Sequence, residues 1–148
     1  MTDVTLLKQK IQDVKKKAED DYRQARAHAE QGNERRARDF LVKADKNIRE
    51  LSKLAHELQI YEDYDTYEDY DTYEGYDDIA QRILQWAHED CYVYSNYDAA
   101  IDKCEQIISM SEIYALLHRQ ALKMKKEIQA LQKEQNSQAS QHSIGIGL

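Results

Sequence analysis

The sequence predicts an all-α protein, and three observations carry that prediction. Proline is absent from all 148 residues, where an average composition of roughly 5% would supply several. Only Gly32 and Gly75 interrupt the first 140 positions, so long unkinked helices can form. Apolar and small residues recur three and four apart over long stretches, the period of one helix face.

The first such stripe runs through Val4, Leu7, Ile11, Val14, Ala18 and Ala25, interrupted by Asp21. Near Tyr22 it shifts by one position, to Ala29. Gly32 supplies the permissive conformation that ends a helix, and Asn33 can cap the next one. Helix 1 is thus expected from about 4 to 31. Ala37, Leu41, Ala44, Ile48, Leu51, Ala55 and Leu58 then alternate without a break and predict helix 2 over about 34–60. So short a connection implies an antiparallel hairpin.

Residues 61–78 have a different character. They read Tyr-Glu-Asp-Tyr-Asp-Thr twice, then Tyr-Glu-Gly-Tyr-Asp-Asp. The segment holds six of the eleven tyrosines and nine of the twenty-eight acidic residues, with no Lys or Arg. The net charge of -7 is therefore local, and the other 130 residues carry +2. Tyrosines at every third position wind around an α-helix instead of lining one side of it, and like charges three apart weaken a helix. The expectation is an irregular or partly helical connector.

Beyond it, Asp77 or Asp78 is the expected N-cap of a helix with Ile79, Ile83, Trp86, Ala87, Cys91 and Tyr94 facing inward. Ser95-Asn96 should break that helix. A shorter one follows, with Ala100, Ile101, Cys104, Ile107 and Ile108 inward. Ser109-Met-Ser-Glu112 has the form of a capping box opening a last helix with Ile113, Leu117, Ala121, Met124, Ile128 and Leu131 on one side. From Gln135 the chain turns Gln/Ser-rich and is expected to be mobile. The organisation that emerges is a hairpin over 1–60, the acidic connector over 61–78, a three-helix unit over 79–134 and a flexible tail over 135–148.

Several function classes lose support on composition. No apolar run reaches the roughly 18 residues of a membrane span, and the first residues turn polar at once, which suggests a cytoplasmic protein. Cys91 and Cys104 are too few for a disulfide framework and lack zinc-site spacing, so reduced thiols are expected, with a redox clasp across a helical hairpin as the alternative. His28, His56, His88, His118 and His142 fall in no metal-binding arrangement. No phosphate loop or nucleophile elbow is present. The chain reads as a non-enzyme without cofactor or metal.

Lys8, Lys10, Lys15, Lys16, Lys17, Arg23, Arg26, Arg35, Arg36 and Arg38 contribute to a surplus of three positive charges over residues 1–60, interspersed with acids as on a solvated face. That hairpin could instead receive the acidic repeat of its own or a neighbouring chain.

Gly32-Asn33 with Ala37, Leu41 and Ala44, and Asn96-Tyr97-Asp98-Ala99-Ala100-Ile101 with Cys104 and Ile107, resemble the tetratricopeptide helical hairpin. The second stretch is also similar to the three-helix microtubule-interacting-and-trafficking module. Ala25, Ala29, Gly32, Asn33, Glu34, Ala37, Arg38 and Leu41 resemble the central hairpin of the phage-shock and ESCRT-III membrane-remodelling family. The first resemblance implies a protein-binding scaffold, TPR-like or bundle-like.

The functional expectation is a non-catalytic adaptor or assembly subunit. Its docking strip would be Tyr61, Asp63, Tyr64, Asp65, Tyr67, Asp69, Tyr70, Asp71, Tyr73 and Tyr76, with phenol rings making apolar contact and carboxylates meeting a basic protein surface. A homo-oligomer is an open alternative, and direct nucleic-acid or membrane binding is not expected. The rival readings are a membrane- or polymer-associated remodelling subunit using the basic hairpin, and an acidic decoy of a nucleic-acid-binding protein.

Overall fold

A computed structural model describes residues 3–61 and 76–146. These form five α-helices and one 3₁₀ turn, with no strand among the described residues: α1 Asp3–Glu30, α2 Glu34–Tyr61, α3 Tyr76–Tyr92, α4 Tyr97–Ile108, the turn Glu112–Tyr114, and α5 Ala115–Ile146. The fold is all-α, as the periodicity predicts. The chain divides into two compact units. One comprises Met1–Arg82 with Met110–Tyr114, and the other Ile83–Ser109 with Ala115–Leu148.

In the first unit α1 and α2 form the expected antiparallel hairpin. Gly32 adopts φ 76°, with the Asn33 amide donating to the His28 carbonyl (2.9 Å) and the Gly32 amide to that of Ala29 (3.0 Å). This paired closure satisfies two otherwise orphaned carbonyls at a helix end and needs a left-handed residue at that point. The predicted seam of α2 is buried throughout, from Ala37 to Leu58, and it meets Ile11, Val14, Ala18, Ala25 and Ala29 of α1. Burial of each large aliphatic side chain stabilises the hairpin by about 1.5–3 kcal/mol before entropy is counted. Across the pair, Asn47 donates to Asp21 (2.9 Å), which puts residues 21 and 47 at one level.

Asp45 lies on the same buried side of α2, only 6% exposed. Its Oδ2 accepts from Arg49 Nε (3.0 Å) and its Oδ1 from the Ser111 amide (3.1 Å). A single carboxylate thus joins the hairpin to the returning 110–114 segment. This contradicts the expected capping box at Ser109–Glu112. Ser109 is instead the C-cap of α4, its hydroxyl donating to the Gln106 carbonyl (2.7 Å), and Asp45 holds the free amide at Ser111. A distant carboxylate took the place of the local motif.

In the second unit α4 and α5 pack as a hairpin. The helix α3 begins at Tyr76, so Asp77 and Asp78 lie in its first turn and neither is the N-cap. Ile79, Ile83, Trp86, Ala87 and Cys91 are buried as predicted, and so are Ala80 and Leu84. Tyr94 is not: the helix ends at Tyr92 and leaves Tyr94 72% exposed. Ser95 turns the chain at φ 54°, and Asn96 caps α4 by accepting from the Ala99 amide (3.3 Å). Within α4, Ala100, Cys104 and Ile107 are buried while Ile101 and Ile108 are half-buried. Lys103, 5% exposed, pairs with Asp90 of α3. In α5 the residues Leu117, Ala121 and Ile128 are buried, with Met124 and Leu131 half-buried.

Over the stretch expected to form the tail, α5 continues as a helix to Ile146. Gln and Ala are adequate helix formers, and no Gly or Pro intervenes before Gly145.

Candidate functional site

The repeat enters and leaves through described helices. Tyr61 ends α2 and Tyr76 begins α3, while Asp63, Tyr64, Asp65, Tyr67, Asp69, Tyr70, Asp71 and Tyr73 lie outside the described residues. Its downstream end is anchored within the first unit. Arg26 of α1 donates to Asp78 Oδ2 (3.2 Å) and to the Tyr22 hydroxyl (3.1 Å), and its guanidinium lies 5.3 Å from the centre of the Tyr22 ring. Burial pushes the Tyr22 phenol above its ordinary value, against the pull of the Arg26 charge. Beside this cluster lies an open groove of ≈ 250 Å³, lined by Arg26, Ala29, Glu30, Asp78, Ile79 and Arg82. Its two arginines face two carboxylates, so it carries no net charge toward a ligand.

The fold also sorts the basic residues that look interspersed in sequence. One row of α2 reads Arg35, Arg38, Val42, Lys46, Arg49, Lys53, His56 and Ile60, again three and four apart. It lies opposite the buried row, and every member is exposed except the half-buried Arg38. No acid falls on it; Asp39, Glu50 and Glu57 occupy neighbouring rows. Val42 is 52% and Ile60 75% exposed, which places two large apolar side chains among the cations. The row spans about 38 Å at 1.5 Å per residue. The signal for it was present in the spacing, but only the location of the core tells which row faces outward.

Other chemistry-bearing residues have structural settings. His28 stacks on Phe40, ring centres 5.5 Å apart and 7° from parallel, and His88 lies against Tyr92 at 4.5 Å. Among the described residues no group of three His, Cys, Asp or Glu side chains could hold a metal ion. Cys91 and Cys104 are free and buried, and burial pushes both thiols up, Cys104 to about 11. No described helix is long and apolar enough to cross a membrane.

No family model matches this chain, and neither does any curated protein or solved structure.

Proposed function

We propose that the protein is a non-catalytic adaptor or assembly subunit that captures a basic protein surface through its acidic, tyrosine-rich repeat. The observation that carries this reading is the concentration of nine carboxylates and six phenols in eighteen residues that include no Lys or Arg. The flanking hairpins have apolar seams of their own, α1 against α2 and α4 against α5. Carboxylates steer a cationic partner and fix its register, and phenol rings supply large contact area at small entropic cost. The helical units then act as the frame that presents the strip, with Tyr61 and Tyr76 at its two points of attachment.

The test is binding of a fluorescent lysine-rich peptide by the full chain and by a variant in which every Asp and Glu of 62–75 becomes its amide and the tyrosines become Ser. The wild type should bind with a steep salt dependence, and the variant should lose binding while keeping its helical circular dichroism. Equal binding by the two proteins refutes the proposal.

A further inference from the structure

We propose that the turn joining α3 to α4 is a docking site for a short arginine-bearing segment of another protein, held by the exposed side chains of Tyr92, Val93 and Tyr94 and the flanking carboxylates of Glu89 and Asp98. All five residues belong to the second unit. The site is separate from residues 62–75 and goes beyond the function proposed for them.

The apolar display is the first argument. Tyr92, Val93 and Tyr94 follow one another in the chain and are 51%, 67% and 72% exposed, a run of large apolar side chains that a folded surface ordinarily avoids. Two rings at this exposure and one valine present roughly 300 Å², the size at which a patch marks a contact site. The backbone beneath them is fixed. The Glu89 carbonyl accepts from the amides of Val93 (2.9 Å) and Tyr94 (3.2 Å), and the Asp90 carbonyl accepts from the amide of Asn96 (2.7 Å). Ser95 is held at φ 54°, a conformation that a residue with a β-carbon keeps only where its surroundings impose it. His88 packs on the Tyr92 ring with centres 4.5 Å apart, and Lys103 bound to Asp90 ties α4 to α3 just behind the turn. A partner thus meets a surface that needs little ordering on binding.

Charge decides the kind of partner. No Lys or Arg occurs between Arg82 and Lys103, and Lys103 is committed to Asp90. Glu89 is exposed on one side of the turn, and Asp98 on the other accepts from the neutral side-chain amide of Gln132 (2.8 Å), which does not cancel its charge. The Tyr92 phenol is pushed up by burial first, then by Cys91 and by Glu127 of α5, so a third carboxylate lies within electrostatic reach of the ring. At the level that Gln132 shares with Asp98, α5 adds Lys133 and Glu134, one charge of each sign. Phenol rings among carboxylates suit a guanidinium, which stacks on an aromatic face and pairs with a carboxylate at once. The same acids repel an anionic lipid surface. A second copy of the chain fits no better, because two such turns bring like charges together, and about 300 Å² a side falls well short of the roughly 800 Å² of a stable protein pair.

Titration of the isotope-labelled full chain with a hexa-arginine peptide, followed by nuclear magnetic resonance, tests the site. At low salt the Val93 and Tyr94 signals should shift and saturate, while hexalysine, which lacks the planar group, should leave them nearly unmoved. Tyr92→Ser/Tyr94→Ser changes side chains that are more than half exposed and should keep its helical circular dichroism. It should weaken hexa-arginine binding about tenfold, the effect of losing two ring–cation contacts. The shifts should persist in the variant whose 62–75 segment is neutralised.

No shift at the turn, equal affinity of the double variant, or loss of the shifts on neutralising 62–75 would each overturn the proposal. So would turn signals that move with protein concentration alone, or with phosphatidylserine vesicles but not with hexa-arginine. Failure here is distinct from failure of the docking strip. Capture of the lysine-rich peptide lost on neutralisation, with an unmoved turn, removes this site and keeps the strip; a shifting turn with capture unchanged by neutralisation does the reverse.

Discussion

Replacing Asp45 by Ala removes the only buried acidic side chain among the described residues and both bonds it makes. The two bonds differ in weight. Arg49 is half-exposed, so its ion pair is screened by water and is worth about 0.5 kcal/mol. The Ser111 amide meets a carboxylate in a half-buried setting, and a hydrogen bond to a charged acceptor contributes about 1.5–3 kcal/mol. Loss of about 2–3 kcal/mol is therefore expected, most of it at Ser111. Hydrogen exchange of the Ser111 amide reads this locally: D45A should exchange about 30- to 160-fold faster there, at one decade per 1.36 kcal/mol. Arg49→Gln should change stability by no more than about 0.5 kcal/mol. If D45A left the Ser111 exchange rate unaltered, or if Arg49→Gln cost as much as D45A, the assignment of Asp45 as the tie between α2 and the returning segment would be wrong.

Two further outcomes follow from the second unit. Lys103→Met strands the largely buried Asp90 carboxylate and should cost about 3 kcal/mol in urea denaturation, whereas Lys103→Met/Asp90→Leu removes both charges and should recover part of that loss; a double variant less stable than the single one would contradict the reading. Cys104 carries a thiol raised from 9.0 to about 11, so the folded state holds its proton where the unfolded chain releases it. The stabilisation from this is complete below pH 9 and lost as pH rises through 11. The urea midpoint of the wild type should thus fall relative to Cys104→Ala across that interval, and parallel curves for the two proteins would remove the claim.

The elements were legible because helices are specified locally. A three-four row such as Ala37 to Leu58 and a permissive residue such as Gly32 define α2 and its turn without reference to the rest of the chain. The acidic strip was equally legible as composition, since charge and phenol content need no fold to be counted. The places where the sequence misled are those where a local pattern met a non-local competitor. Ser109–Glu112 has the letters of a capping box, but Asp45, far away in sequence, supplies the acceptor at Ser111. Tyr94 continues the α3 pattern on paper, but the turn at Ser95 ends the helix before it can turn inward. Asp45 and Lys103 would pass for solvated residues until the helices on either side of them are placed.

By itself, then, the sequence determined that the chain is helical, where its first hairpin turns, and that its acidity is gathered in one segment. Tertiary structure decided which polar groups are buried in pairs and which row of α2 faces away from the seam with α1. The physical reason is that backbone hydrogen bonding and side-chain period act within a few residues, while burial depends on what another helix brings against each face.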